Sequence, residues 1–226
     1  MPARLGAFLV AAATSLVILG ASILPFLTPL YIRSEQDRTG VTLLTGWDTG
    51  LVDQVTTSIV GDLLRGGAFD VAVSGTPVLN DREQAHMRDV RGVFQGFYAL
   101  VAVAAIFLVW SFRRAGRPEA RAAAWRTIGS GARGLAVALV VAGAFVAFAF
   151  DAAFEVFHRL FFGAGTYTFD PRTDRLVQLF PEQFWSETAI AVGVVSMALA
   201  VLTAWRARRA GATRTIPALS TSSART

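Results

Sequence analysis

The chain contains no cysteine and no lysine; its 21 cationic side chains other than histidine are all arginine. The first absence removes disulfides, thiol nucleophiles and thiolate metal sites. The second removes Schiff-base chemistry on a lysine amine. Only two histidines occur, His86 and His158, and neither belongs to an HExxH pattern. There is no GxSxG segment to carry a nucleophilic serine. Charge is scarce: 16% of residues are Asp, Glu, Lys or Arg, where a soluble domain carries about a quarter.

What fills the chain is apolar. Hydrophobic residues make up 54% of it and the mean hydropathy is +0.50, the composition of a polytopic membrane protein. Four apolar stretches stand out, at about 5–32, 93–112, 134–162 and 188–205. About 20 such residues cross a bilayer. The first stretch follows Arg4 and contains Gly20-Ala21-Ser22, so a cleaved signal peptide is an alternative. The run continues past that point and exceeds the ~7–15 residues of a signal core, which favours a retained helix. Pro25 and Pro29 are expected to bend or end its outer part.

Charge orients the spans. Arg4, the segment holding Arg113, Arg114, Arg117, Arg121, Arg126 and Arg133, and the tail holding Arg206, Arg208, Arg209, Arg214 and Arg225 include a single acid, Glu119. The other 15 of the 16 acids lie in 33–92 and 151–187. Arginine-rich short segments stay in the cytoplasm. The reading is an all-α integral membrane protein with four transmembrane helices, N-in/C-in. Its two extracytoplasmic loops, 33–92 and 151–187, form a small cap. Residues 1–205 make a single membrane domain, and 206–226, rich in Arg, Ser and Thr, are expected to be a disordered cytoplasmic tail. Because the positive charge is segregated in this way, the basic pI does not point to nucleic acid.

Both loops carry local signals. Leu51, Val52, Val55, Ile59, Leu63 and Leu64 recur at helical spacing, with Asp48 as a cap and Gly66-Gly67 as a stop. That helix is expected at the membrane surface or against the bundle. Phe69–Ser74 alternates weakly, as a short strand would. Asn80 followed by Glu83 is a capping-box pattern that starts a helix carrying His86 into the second span. Glu83, His86 and Asp89 recur every three residues along one side of it. In the second loop Asp151, Glu155 and His158 share a helix face. Phe150, Phe154, Phe157, Phe161 and Phe162 surround it and can exclude water.

The second and third spans are joined by a short connection and are expected to be neighbours. His86 precedes Val93 by seven residues and His158 follows Phe150 by eight. Both imidazoles should then stand at one height above the apolar layer. Imidazole titrates near pH 6.5, which suits proton transfer. A joint catalytic role for His86 and His158 is the reading adopted, with Glu83, Asp89 and Glu155 as carboxylates that orient the rings. Tyr167, Asp170, Arg159 and Arg172 are the substrate-binding candidates. Tyr167 can also anchor at the interface, Asp170 can simply cap a turn, and the arginines can balance nearby acids.

The segments REQAHMRDV (82–90) and FHRLFFGAGTYTFDPRTDRLVQLFPEQFW (157–185) resemble a bacterial family of four-span integral membrane proteins, the lipoprotein intramolecular transacylase family. The resemblance implies a reaction: the sn-2 acyl chain of a diacylglyceryl-modified lipoprotein moves to the amine of its own N-terminal Cys. It also places the family's two histidines on His86 and His158. Tyr167 stands where the family often has Trp, and Arg91 where Lys is common. Donor and amine are then tethered in one molecule, so no protein nucleophile is needed. His158, with the denser acidic and aromatic surround, is read as the base and His86 as the oxyanion or leaving-group partner; the exchanged assignment stays open. No cofactor is implied. The partners are the diacylglyceryl lipoprotein and membrane lipid. Two other classes compete. A metal-dependent hydrolase would use His86, His158, Glu155 and Asp170 or Asp174, and a non-catalytic assembly factor would need neither histidine. A transporter fits less well, since ionisable residues are nearly absent from mid-span.

Overall fold

The computed structural model describes residues 2–212. Four of its helices are long and apolar enough to cross a membrane. They are α1 (Pro2–Ile23), α5 (Asp81–Arg114), α6 (Pro118–Phe148) and α9 (Glu182–Gly211). Shorter elements stand between them: α2 (Pro29–Arg38), α3 (Val41–Thr45), α4 (Thr49–Arg65), β1 (Ala72–Val73), β2 (Thr76–Pro77), α7 (Phe150–Phe161) and α8 (Arg175–Leu179).

The prolines decide how the first span ends. α1 stops at Ile23, a single 3₁₀ turn covers Leu24–Leu27, and Pro29 opens α2 with Thr28 as its cap. The apolar run to Ile32 is thus divided between a span and a cap helix. The third apolar run divides too. Ala149 leaves helical geometry at φ −147° and ψ 51°, so α7 starts in a new direction after α6. At the other end of the chain, α9 continues through Arg206–Gly211, residues read from sequence as tail. The remainder of that expected tail, 213–226, lies outside the described residues.

Packing among the spans is built on small residues, as is usual where lipid offers no hydrophobic drive between helices. Gly131 of α6 lies so close to α1 that a methyl group there would stand 2.4 Å from the carbonyl oxygen of Ala11. Ser15 donates to the Gly131 carbonyl at 3.2 Å, and Ser22 shares a buried hydrogen bond of 2.6 Å with Ser196 of α9. Ile18, Ala132, Leu135 and Ala200 complete this core. α1 packs on α5, α6 and α9, while α6 packs most extensively on α9. The short α5–α6 connection does not produce a tight hairpin: α5 and α6 barely touch, and α1 is the element that links them.

The acidic segments form the expected cap, with one hydrophobic core drawn from both. Val41, Val52, Val55, Ile59, Phe69, Val78 and Leu79 come from the first segment, Met87 from the start of α5, and Leu176 and Leu179 from the second. α4 turns its apolar stripe inward, its start capped by Asp48 on the Leu51 N–H at 3.0 Å. Its stop is Gly66, at φ 88°. β1 and β2 pair antiparallel around Ser74-Gly75, both at positive φ, a two-residue hairpin turn.

Candidate active site

α5 has 34 residues, about 51 Å at 1.5 Å per residue, against the ~30 Å of a hydrocarbon core. Its polar first turns, through Gly92, therefore rise into the cap, and His86 stands there. The capping box forms as its residue types dictate: Asn80 Oδ1 accepts from the N–H groups of Arg82 and Glu83, both at 3.0 Å, and Glu83 Oε2 accepts from Asn80 N–H at 2.7 Å. His158 stands near the end of α7, whose apolar face is nearly all phenylalanine.

The two imidazoles meet. Their ring centres are 6.0 Å apart and their planes 21° apart, with both side chains buried. Because α5 and α6 diverge, the break at Ala149 and the α7 that follows it bring His158 to His86. Phe162 and Phe169 pack edge-on against His86, at 4.9 and 5.4 Å between ring centres. Phe154 lies 4.0 Å and Tyr167 5.0 Å from His158. This aromatic box shields the pair from water.

The two rings differ in their hydrogen bonds. His158 Nδ1 is 2.8 Å from the carbonyl oxygen of Phe154. A carbonyl only accepts, so Nδ1 carries a proton, and in the neutral ring Nε2 holds the lone pair. His86 Nδ1 is buried without any partner. Burial and the neighbouring His158 push the His86 imidazole down to about 4, and the charge of Asp89 opposes this only in part. His86 is thus a neutral ring at neutral pH.

The carboxylates read as orienting groups do other work in this structure. Glu83 is buried, and its oxygens are taken by main-chain N–H groups, that of Asn80 and that of Leu176 at 2.6 Å. Burial raises its pKa against those two hydrogen bonds. It ties α8 to the first turn of α5 and does not touch a ring. Asp89 is exposed and acts on His86 only through space. Glu155 accepts from Arg159 at 2.7 Å and from the Tyr167 hydroxyl at 3.2 Å, and the Arg159 hydrogen bond holds it below the usual carboxylate range. The oxygens of Glu83 are engaged by main-chain N–H groups and those of Glu155 by a guanidinium and a hydroxyl, and among the described residues no hydrogen bond from an imidazole reaches either.

The candidate binding residues separate into two groups. Tyr167, Glu155 and Arg159 form a chain beside His158. Asp170 and Arg172 pair with each other at 2.8 Å on the cap exterior, Arg172 holding the Asp170 carboxyl below its usual range. Asp170 Oδ1 also accepts from Arg172 N–H at 2.9 Å, which makes it a turn residue. The residue that sequence reasoning assigned no structural part is Asp174. Only 5% exposed, it accepts from Asn80 Nδ2 at 3.0 Å, Arg82 Nη2 at 3.0 Å and the Asp170 N–H at 2.8 Å. It clamps the second segment onto the start of α5 and so fixes Phe169 against His86, with Arg82 over the Phe169 ring at 5.2 Å. Its alternative use as a metal ligand would require giving up these partners. Among the described residues no three of His, Asp and Glu converge as a metal site would require.

Residues 8–185 match the family described as Lipoprotein intramolecular transacylase Lit. Among solved structures, the membrane integral lipoprotein intramolecular transacylase Lit from Bacillus cereus is similar with a TM-score of 0.71 at 18% identity, over 92% of this chain and 94% of that one. A form of the same protein with one histidine replaced by arginine gives 0.69 at 16% identity, over 92% and 91%. No curated protein sequence matches the chain at a significant level.

Proposed function

The chain belongs to the lipoprotein intramolecular transacylase Lit family, whose members are membrane acyltransferases, and from that premise we propose that it moves the sn-2 acyl chain of a diacylglyceryl lipoprotein to the amine of the same lipoprotein's N-terminal Cys. The observation that carries the proposal is the buried histidine pair, 6.0 Å between ring centres, with one tautomer fixed by the Phe154 carbonyl. An α-amino group has a pKa of roughly 7.7–8.0, so an appreciable fraction is the neutral amine at neutral pH, and that form needs to lose a single proton as it attacks. His158 Nε2 takes that proton while the amine nitrogen bonds to the ester carbon. His86, neutral and with a ring nitrogen awaiting a partner, donates to the oxyanion. Collapse breaks the bond to the glycerol oxygen, and the proton on His158 passes to that oxygen. The products are an N-acylated Cys and a lyso-glyceryl thioether. The aromatic box excludes water, which would otherwise compete as acyl acceptor.

The arginine asymmetry supports a site at the outer leaflet of the cell membrane, with both chain ends inside. The acyl chains would lie along the exposed apolar faces of the spans, such as Leu100, Val103 and Ile106 of α5 and Val137, Val140 and Val141 of α6. Expression beside a diacylated lipoprotein reporter, with acyl positions read by mass spectrometry of the N-terminal peptide, tests the proposal. Wild type should yield the lyso form, and His86→Asn and His158→Asn should not. Lyso product at the wild-type level from either variant would remove the histidine mechanism.

A further inference from the structure

At the end of the bundle opposite the cap, α6 and α9 enclose a groove of about 300 Å3. Arg126 and Arg133 line it from α6 and Arg208 from α9, with Trp125 on the wall. The groove is built by close helix contact. Gly129 sits so near α9 that a methyl group there would be 2.9 Å from the Ala207 side chain and 3.3 Å from the Arg133 guanidinium. Glycine at 129 thus fixes the distance between the two arginine-bearing walls.

The three guanidiniums have almost nothing to bind. Arg126 Nη1 makes a long hydrogen bond of 3.4 Å to the Gly211 carbonyl at the α9 terminus. Every ion pair among the described residues lies in the cap. In sequence, Glu119 is the one acidic side chain on this side and residues 213–226 contain none, and no ion pair among the described residues joins Glu119 to a groove arginine. Arg133 directly precedes the apolar stretch of α6, and Arg208 lies three residues beyond Trp205, whose ring carries the guanidinium of Arg209 at 4.1 Å. That places the groove at headgroup depth, where interfacial aromatics and arginines sit.

We propose that this groove binds the phosphodiester of an anionic membrane lipid in the leaflet opposite the histidine pair. Guanidinium forks match phosphate oxygens two at a time, and basic pockets between spans on the cytoplasmic side suit anionic headgroups. The site is independent of the transacylase reading and uses none of its residues.

The full chain, purified in neutral detergent and offered equimolar dioleoylphosphatidylglycerol and dioleoylphosphatidylcholine, tests this by native mass spectrometry of retained lipid. Wild type should retain the anionic lipid preferentially. The double variant Arg133→Gln, Arg208→Gln should lose that preference by about tenfold, while Arg117→Gln, Arg121→Gln, equal in charge change but outside the groove, should keep it. Equal loss in both pairs, or no loss in the groove pair, overturns the site. Displacement of the lipid by millimolar inorganic phosphate would assign the groove to a small anion and overturn the lipid assignment; retention of the lipid supports it. If the glutamine pair shows no thermal transition, Arg133→Lys, Arg208→Lys keeps the charge and removes the fork. A wild-type preference in that variant overturns the proposal.

Discussion

Glu83 binds Leu176: its Oε1 accepts the main-chain N–H of that residue at 2.6 Å, across 93 positions of sequence. This single hydrogen bond, together with the capping box on the other oxygen, joins the two acidic segments about one helical turn before His86. Glu83→Gln can still accept one N–H but turns an amide toward the other. Burying a donor against a donor costs about 1–3 kcal/mol. The cap of Glu83→Gln should therefore unfold at lower denaturant while the spans α1, α5, α6 and α9 stay intact, as read by hydrogen exchange of residues 172–180.

The His86 imidazole should titrate well below its ordinary range. The folded His86 imidazole lies near 4, below its ordinary 6.5. Between those values the unfolded chain binds a proton that the folded chain does not, so folding stability from this group falls as pH drops from about 6.5 to 4. It is fully present above 6.5. Thermal midpoints of wild type and His86→Phe, compared at pH 7.5 and pH 4.5, measure it. Wild type should lose more on acidification than the variant; parallel loss would show that His86 titrates normally.

Tyr167 lies against His158 and donates to Glu155, so removing its hydroxyl separates stacking from hydrogen bonding. Tyr167→Phe keeps the ring and loses a partly exposed hydrogen bond worth roughly 0.5–1.5 kcal/mol, or about two- to tenfold in rate if it acts only on positioning. Tyr167→Ala opens the aromatic box as well and should lower lyso-lipoprotein formation further. If both variants retain wild-type rates of product formation, Tyr167 is an interface anchor alone.

Asp174 gathers three donors, and two of them, Asn80 and Arg82, stand at the start of α5. Asp174→Ala leaves the Asn80 amide and the Asp170 N–H unsatisfied and should destabilise the cap by about 2–3 kcal/mol. Asp174→Asn keeps one acceptor and should recover part of it. Because Phe169 rests against His86 through this clamp, product formation should fall with Asp174→Ala even where the protein remains folded at assay temperature.

The local signals were legible because they depend on neighbours in sequence. Asn80 and Glu83 announce a capping box, Asp48 and Gly66 bound α4, and the arginine distribution separates the cap from the opposite end. The meeting of the two histidines was legible as well, but for a reason that differs from the structure's. Sequence suggested that the second and third spans are neighbours through their short connection; the rings meet because Ala149 breaks the helix and α7 carries His158 across. No proline or glycine marks that break. Asp174 was opaque for a related reason: its partners at 80, 82 and 170 converge only once both segments have folded. The hydrogen bonds of Glu83 and Glu155 were not legible, because sequence spacing shows which acids are close to a histidine and not which N–H groups are closer.

Gly131 and Gly134 occupy the same helix and differ in what surrounds them. A methyl group on Gly131 would meet the Ala11 main chain at 2.4–2.9 Å, while one on Gly134 would meet nothing within 4 Å. Main chain cannot rotate aside, so Gly131→Ala must push α1 off α6, weakening the Ser15 hydrogen bond to the same residue. Overpacking of this kind costs about 1–3 kcal/mol. Gly134→Ala should instead gain up to about 1 kcal/mol from helix propensity. Thermal midpoints in one detergent should therefore move in opposite directions for two identical substitutions three residues apart. A matched shift would mean that α1 is not held against α6 at Ala11, and that the contact linking α5 to the rest of the bundle lies elsewhere.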